Sequence, residues 1–439
     1  MANPAGGATE DGVLPRRAAL WRNPDFTKLW VGSTASYFAS QVSLLALPLT
    51  AVLTLAASSA QVGYLSAVSQ LPYLLISLFA GVLVDRVRRR NLLVGADLGR
   101  AAVLGVIPAL FWLHELRLPW LYALGFLAGC GTVLFDLTSQ AYLPRLVSRE
   151  DLRVGNSMLS VSSSAALVGG PALGGVLVQW LTAPVAVCAS SFSYLVSVTN
   201  IWLIRHHERA SPRPSPRPGA RSAAGTLRQV KEGLVVVFRH ELLRTITLMS
   251  TMFNFSNAAF NVAFVQYMPR TLKMHPGEIG LVLAAAGPGF LVGAVLAGKL
   301  PAAVGYGYAT FLAALAGNPV MPLIALTRGG GLLTTGILMA IMFVSATFGV
   351  VINVIMQTVR QSITPDSLQG RVAATSRFAA YGIIPLGALL GGALGGLIGL
   401  RLTVLTATLG MCFVLVPLSM SSLIRLRGKL PDPIGENVH

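Results

Sequence analysis

Residues 81–90 read GVLVDRVRRR and connect two long apolar stretches of the chain, at 61–84 and 91–113. Each stretch is long enough to cross the ~30 Å hydrocarbon core of a bilayer, for which a helix needs about 20 apolar residues. The connection holds one acid followed by four arginines. Because basic loops lie on the cytoplasmic side of a membrane, the segment is predicted to be a cytoplasmic loop between two transmembrane helices.

The composition of the whole chain also indicates that lipid surrounds much of the protein. Of its 439 residues, 54% are hydrophobic and 11% are charged, whereas a soluble globular chain has about 25% charged residues. So few charges cannot cover the surface of a soluble protein of this size. We therefore expect an all-α integral membrane protein that crosses the cell membrane many times.

Twelve apolar windows of transmembrane length follow one another along the chain. They lie at 28–54, 61–84, 91–113, 119–140, 154–179, 183–205, 243–268, 277–299, 303–326, 332–357, 372–399 and 402–424. The linker between the sixth and seventh windows contains SPRPSPRPGARSAAG, which cannot bury apolar surface and is predicted to be extended. The predicted units are a cytoplasmic tail (1–27), a six-helix bundle (28–205), a cytoplasmic linker (206–242), a second six-helix bundle (243–424) and a cytoplasmic tail (425–439).

The formal net charge of +17 suits either a nucleic-acid-binding protein or a membrane protein with basic cytoplasmic loops. The basic residues punctuate apolar runs and form no patch, which argues against nucleic acid as a partner. With both termini in the cytoplasm, 28 of the 33 Lys and Arg residues fall on the cytoplasmic side and 5 on the other. We predict this orientation, with the linker arginines facing anionic lipid headgroups or solvent.

The chain lacks the residue patterns of enzymes and metal sites. Its three cysteines lie inside apolar stretches, and its histidines form no His-Glu-x-x-His or Ser/His/Asp arrangement. We predict no enzymatic activity, no cofactor and no metal. We expect a monomer whose partners are a small-molecule substrate, protons and membrane lipids.

A weak internal repeat relates the two halves. Residues 148–152 and 364–368 both read [ST]-x-[DE]-x-Leu, 216 positions apart, and each introduces a Gly-rich helix. Ser148 and Thr364 are predicted to be helix N-caps. The two copies share one topology, as expected for the parallel repeats of some transporters.

Residues 81–90 resemble the major facilitator superfamily signature G-x-L-a-D-r-x-G-r-k/r, with Arg88 in place of the second Gly. The resemblance implies a gating latch, a contact that holds the two halves together when the cytoplasmic side is closed. The alternative is a generic basic loop.

Asp97 and Arg100, spaced i, i+3, are expected to pair, either as part of the cytoplasmic charge network of this latch or as a structural ion pair. The residues assigned to the latch are Gly81, Asp85, Arg86, Arg89, Arg90, Asp97 and Arg100.

A second motif, GGPALGG at 169–175, resembles the antiporter motif of drug exporters in the same superfamily. Its matching residues are Gly170, Pro171, Gly174 and Gly175. Small residues allow helices to approach closely, and a proline bends a helix, so the motif either biases alternating access or serves ordinary close packing.

Residues 20–49 and 134–177 resemble the macrolide-efflux and enterobactin-exporter-like branch, which implies two six-helix bundles and efflux of a bulky organic product.

This resemblance leaves other functions open: an importer, a lysolipid-type translocase, or a membrane scaffold or sensor that transports nothing.

In the major facilitator fold the first, fourth, seventh and tenth spans line the substrate cavity. Amides on one face of the seventh span predict either a cavity face or hydrogen bonds between helices. The cavity candidates are Tyr37, Gln41, Asn254, Asn257, Asn261, Asn353 and Gln357.

Asp136 stands within the fourth span, and an intramembrane acid is a functional hypothesis by default. It is the candidate for carrying a coupled proton, which would make the protein a proton antiporter. The alternative is a structural role, in which Asp136 pairs with a base such as Arg145 or Arg377.

Overall fold

The computed structural model describes residues 20–76, 84, 87–148, 150–205 and 235–426. Within these ranges each of the twelve predicted windows coincides with a helical span. The spans are α1 (Pro24–Leu49, continued by a π-helical turn, Thr50–Thr54), α2 (Ser59–Leu75), α3 (Arg89–Trp112), α4 (Leu118–Leu146), α5 (Leu152–Leu181), α6 (Ala183–Trp202), α7 (Glu241–Arg270), α8 (Pro276–Ala284 and Ala286–Val304), α9 (Tyr306–Gly317, then the 3-10 helix Met321–Leu326), α10 (Leu332–Ile363), α11 (Asp366–Gly382 and Ile384–Leu397) and α12 (Leu400–Cys412 and Leu415–Met420). The predicted all-α fold is confirmed.

Ten of these spans are long and apolar enough to cross a membrane, judged by length and composition. The described part of α2 has 17 residues and is too short for that test. The other span outside the ten is α7, which has 30 residues but carries several amide side chains. The polarity of α7 is the first sign that one of its faces meets something other than lipid.

Local signals explain where several helices begin. The Asn23 side chain accepts hydrogen bonds from the backbone N–H groups of residues 25 and 26, so α1 starts four residues before the predicted window. Of the two N-caps predicted at the repeat, the one at Thr364 is wrong, because its hydroxyl donates to the Arg360 carbonyl and so belongs to the end of α10. Ser148 makes the predicted kind of capping bond, since its hydroxyl accepts from the Asp151 N–H, three residues on, in the turn before α5.

The internal repeat is more regular in three dimensions than in sequence. The turns after α5 and α11 contain Thr182 (φ 82°, ψ 157°) and Gly399 (φ 81°, ψ 159°), which lie 217 positions apart. A positive φ suits Gly and strains a β-branched residue. The chain therefore repeats this turn in both halves and holds Thr182 in a conformation that its partner position fills with Gly.

Three hydrophobic cores show how the halves α1–α6 and α7–α12 meet. We call the end of the molecule near residues 24, 146, 205, 241 and 364 the tail side, and the opposite end the far side. One core lies at the tail side of the first half and includes Phe26 and Tyr142. A second lies at the tail side of the other half and includes Leu243 and Val359. The largest core contains far-side residues of both halves, so this conformation is closed at the far side.

Candidate functional site

An ion pair lies buried inside the first half. Asp97 and Arg100 of α3 pair with each other and are 0% and 1% exposed. Ser36 of α1 donates to Asp97 Oδ1 (3.3 Å) and accepts from Arg100 Nη2 (2.9 Å). The guanidinium carbon lies 4.7 Å from the ring centre of Phe135 and 4.3 Å from that of Tyr194. These contacts compensate the buried charges and join α1, α3, α4 and α6.

The second half has no charge at the equivalent position. A Cβ atom added to Gly131 would lie 2.6 Å from Arg100 Cγ, so this Gly makes room for the arginine. The residues 217 positions later are Gly317, in place of Arg100, and Phe348, in place of Gly131. A Cβ atom on Gly317 would lie 2.7 Å from Phe348 Cβ. In the first half the large residue is on α3 and the glycine on α4, whereas in the second half the glycine is on α9 and the large residue on α10. Among the described residues, the buried charges lie in the first half.

Asp136 is half-buried and has a partner that the sequence did not reveal. The Tyr73 hydroxyl of α2 donates to Asp136 Oδ2 at 2.9 Å. The bases considered as partners, Arg145 and Arg377, make no described contact with this carboxylate. Tyr37 packs edge-on against Phe135, one residue before the acid, with ring centres 6.3 Å apart. The acid therefore lies among aromatic side chains of α1, α2 and α4.

The predicted amide face of α7 exists. Asn254 and Asn257 are half-buried, and Asn261 is exposed. The Asn254 amide donates to the Ser250 carbonyl and the Asn261 amide to the Asn257 carbonyl, each at 2.8 Å. Both bonds stay within α7 and use only the amide N–H groups, so the side-chain oxygens of these two residues can accept from a ligand or water.

The remaining cavity candidates lie in two places. Gln41 is half-buried where α1 meets α5, directly against Gly170. Asn353 and Gln357 are both exposed and share one face of α10 near its tail-side end. Their role in a cavity stays a prediction.

The glycines of the antiporter-like motif contact two different helices. Gly170 and Gly174 lie against α1. A Cβ atom on Gly175 would lie 2.6 Å from the Pro276 carbonyl oxygen and 2.7 Å from Gly280 Cα, both in α8. The motif thus joins two helices of its own half and also reaches across to the other half. The Pro171 carbonyl contributes to this crossing, since a Cβ atom on Gly280 would lie 2.7 Å from its oxygen.

A second crossing repeats this geometry. Gly392 of α11 meets Gly63 of α2, where an added Cβ atom on either residue would lie 2.7 Å from the Cα atom of the other. Gly63 and Gly280 are 217 positions apart, as are Gly175 and Gly392. We call the contacts Gly175–Gly280 and Gly63–Gly392 the far-side seams. They are related by the internal repeat and bring backbone against backbone, as small residues do between membrane helices.

Two hydrogen bonds join the halves beside the seams. Arg270 at the end of α7 donates to the carbonyl oxygen of Ala57, in the turn between α1 and α2. The backbone N–H of Gly277 in α8 donates to Gln179 Oε1 of α5 at 2.9 Å. Both bonds lie at the far side, in agreement with the shared core there.

The centre of the predicted latch falls outside the described residues, since Gly81, Asp85 and Arg86 are among those that the structure does not describe. Of its flanking bases, Arg90 donates through Nε to the Ile201 carbonyl (3.3 Å) and through Nη2 to that of Trp202. Arg90 therefore caps the C-terminal end of α6. The latch stays a prediction.

Sequence reasoning found the pairing of Asp97 with Arg100 but missed the polar side chains on other helices that bond to the charged residues. Ser36 and Ser40 of α1 both contact Arg100, and Ser40 also bonds the Tyr194 hydroxyl at 2.9 Å. The spacing of Ser33, Ser36 and Ser40 on one face of α1 was a usable signal for a polar contact. No comparable pattern marked Tyr73 as the partner of Asp136.

Two six-helix halves related by an internal repeat, joined by crossings of α2 with α11 and of α5 with α8, define a membrane transporter of the major facilitator type and not an enzyme. The chain belongs to the transmembrane secretion effector family of this superfamily, whose model matches residues 17–432.

Curated relatives agree with this family. The multidrug efflux pump Tap of Mycolicibacterium fortuitum is 27% identical over 360 residues, which cover 78% of this chain and 82% of the relative. The Tap protein of Mycobacterium tuberculosis is 28% identical over 416 residues, covering 90% and 94%. Macrolide efflux protein A of Streptococcus pyogenes is 24% identical over 275 residues, covering 62% and 66%.

Solved structures agree on the fold. The nucleoside transporter NupG has a TM-score of 0.71 at 10% identity and covers 90% of this chain and 99% of its own. A bacterial homologue of the lysosomal transporter Spinster, in an inward-facing and occupied conformation, has a TM-score of 0.68 at 14% identity, with coverage of 93% and 97%.

Proposed function

We propose that this transporter exports a small organic compound by alternating access and that proton antiport drives the export. Relatives over most of the chain are named as efflux pumps for multiple drugs and for macrolides, which supports export. The observation that carries alternating access is the pair of far-side seams, because they are the contacts that must separate if the cavity is to open at that side.

The far-side seams are suited to reversible separation. Each consists of backbone contact between two glycines, so separating the two helices at a seam requires no interlocked side chains to come apart at that point. Inside the first half, in contrast, Arg100 and its partners join four helices. In our proposal the two halves move as rigid bodies and the seams are where they part.

The proposed proton site is Asp136. Its carboxylate is half-buried and bonded by Tyr73, and intramembrane acids mark proton pathways in transporters. Protonation of Asp136 on one side of the membrane and release on the other changes the relative energies of the two states, which drives the substrate in the opposite direction.

The remaining assignments complete the proposal. Substrate contacts the aromatic and amide side chains on α1, α7 and α10, and Asp85 with its neighbouring bases holds the tail side closed when the far side opens. The tails and the linker are cytoplasmic, in keeping with the 28 to 5 distribution of basic residues. In this orientation the conformation described is inward-facing. The protein acts as a monomer surrounded by lipid.

Transport by everted membrane vesicles tests the function. Vesicles that contain the protein should accumulate labelled erythromycin or another compound from a drug panel when their interior is acidified, and lose it when the proton gradient is collapsed. Accumulation by right-side-out vesicles instead would indicate an importer. If no compound moves in either preparation, a scaffold or sensor role is favoured.

A further inference from the structure

One arginine of the second half lies far inside the membrane. Arg377 is eleven residues beyond Asp366, where α11 begins, which places it about 16 Å from the tail-side end of the helix. This depth is near the middle of a ~30 Å hydrocarbon core, and the side chain is exposed. A charge at such a depth is costly in lipid, so the Arg377 side chain must meet water or a ligand.

The direction of this side chain follows from the face of α11 on which it lies. Ile383 joins the two segments of α11 and keeps helical dihedral angles (φ −80°, ψ −17°), so one face can be followed through the junction. Arg377, Tyr381 and Gly392 lie within about 60° of one another around the helix. Gly392 is covered by Gly63 of the first half, whereas Tyr381 is 57% exposed. Arg377 therefore points at the first half, into the cleft that opens between the halves toward the tail side.

A second arginine approaches Arg377 from α10. Side chains of a helix lean toward its N-terminus, and α10 ends at the tail side whereas α11 begins there. The Arg360 side chain therefore leans into the membrane and the Arg377 side chain leans toward the tail side. The two guanidinium groups are close enough to repel each other. Arg360 also shares its face of α10 with the exposed amides of Asn353 and Gln357.

No described acid compensates these two charges. Among the residues whose side chains the structure describes, Arg360 and Arg377 form no side-chain hydrogen bond or ion pair. Glu241 and Glu278, the described acids of the second half, lie at helix ends, where each accepts a backbone N–H, at 2.9 and 2.8 Å. Asp136 belongs to the other half and is bonded by a tyrosine there. This side of the cleft therefore has an excess of positive charge.

We infer that Arg377 and Arg360 bind an anionic group of the transported compound, so that the substrate is an organic anion such as a carboxylate. This inference rests on the proposed transport function and adds the chemical class of the substrate. The planar guanidinium group matches the two oxygens of a carboxylate, and the Gln357 amide offers a further donor beside Arg360. The Tyr381 ring, one turn from Arg377, offers apolar surface to the body of the compound. A cation would be repelled from this side of the cleft.

Alkylation of a cysteine placed at Gln357 tests the site in purified protein in nanodiscs. The three native cysteines are first replaced by Ala, and the neutral reagent is methyl methanethiosulfonate. The probe 2-naphthoate at millimolar concentration should slow the reaction several-fold, and its neutral analogue 2-naphthamide should not. No protection by naphthoate, or equal protection by naphthamide, would overturn the inference.

Inorganic phosphate at the same concentration distinguishes an organic substrate from a free ion. Phosphate has no apolar body to lie against the Tyr381 ring, so it should protect the cysteine less than naphthoate does. Equal protection by phosphate would show a site for inorganic anions, and the assignment to the substrate would be wrong.

Variants of Arg377 show whether protection depends on this side chain. Arg377→Gln should weaken the affinity for naphthoate about fivefold, the effect of losing a unit charge about 4 Å from the carboxylate in water. Arg377→Lys keeps the charge and should retain part of the affinity. The matched control Arg117→Gln removes an exposed arginine at the far side and should change nothing. Unchanged protection in Arg377→Gln, or an equal loss in Arg117→Gln, contradicts the inference.

Transport by the everted vesicles separates a failure of this inference from a failure of the proposed function. If the protein exports nothing, no compound accumulates, yet naphthoate still protects the cysteine. If the protein does export, the compounds that accumulate should include anions, and Arg377→Gln should reduce their accumulation while Arg117→Gln does not. Accumulation of neutral and cationic compounds alone would contradict the inference and leave the proposed export in place.

Discussion

Replacing Gly175 by Ala should shift the protein toward a state that is open at the far side. The added Cβ atom would lie 2.6 Å from the Pro276 oxygen and 2.7 Å from Gly280 Cα. Both are backbone atoms that no rotamer change can move, so α5 and α8 must separate by several tenths of an ångström or more. Overpacking of this kind costs about 1–3 kcal/mol.

That cost falls on the closed far side only, because the seam is absent once the far side has opened. The equilibrium between the two states should therefore shift by the same free energy, a factor of about 5 to 150. Gly392→Ala at the other seam should have the same effect, since its Cβ atom would lie 2.7 Å from Gly63 Cα. The matched control is Gly396→Ala on the same helix, where an added Cβ atom meets nothing within 4 Å.

The shift can be measured by the alkylation rate of a cysteine placed at Ser59, which is 8% exposed beside the Gly63–Gly392 seam. The three native cysteines are first replaced by Ala. In purified protein in nanodiscs the maleimide reaches both sides, so the result does not depend on orientation. The rate should rise by the factor above in Gly175→Ala and stay constant in Gly396→Ala. Equal rates in all variants, with folding intact, would refute the assignment of the seams as the point of opening.

Four further predictions concern other parts of the molecule. Asp136→Asn should abolish efflux driven by a proton gradient but spare energy-independent exchange of substrate, because exchange needs only binding and conformational change; a variant that still pumps against a gradient would make the acid structural. Asp85→Asn should reduce transport strongly while folded protein stays in the membrane, and wild-type rates would reduce residues 81–90 to a topology signal. Single cysteines in the linker at 206–242 should be inaccessible to an impermeant thiol reagent added outside intact cells, and ready labelling contradicts the orientation. Thr182→Gly should stabilise the protein by about 1 kcal/mol, because it relieves a backbone conformation open mainly to Gly; Thr182→Ala keeps the strain, so a melting temperature equally raised in both would contradict the reasoning.

The number and positions of the helices could be predicted because each needs only a local signal. A run of about 20 apolar residues specifies a span whatever it packs against, and the 37-residue break at 206–242 separates the two groups of six. The pairing of Asp97 with Arg100 was also accessible, since residues three apart share a helix face and neither charge is tolerated alone in lipid.

Contacts between distant helices were beyond the same reasoning. Tyr73 and Asp136 are 63 residues apart, and their meeting depends on the rotation of α2 and α4 about their axes, which no local pattern specifies. The seven-residue motif at 169–175 indicated close approach of helices but could not say which. Only the packing shows that Gly174 lies against α1 while Gly175, one residue later and about 100° around the helix, lies against α8.

The far-side seams carry a consequence for how such a chain can be assembled. Each seam pairs one residue of an α2-type helix with one residue of an α5-type helix, and each half contributes one of each. A single six-helix half that associated with a second copy of itself about a two-fold axis would therefore form both seams from one pair of positions, Gly63 and Gly175. Once two such copies are fused into one chain, each seam is made of its own two positions. A substitution at Gly63 is then compensated at Gly392, and the Gly175–Gly280 contact does not change. The same independence allows the first half to pack a buried arginine against a glycine where the second half packs a half-buried phenylalanine against one.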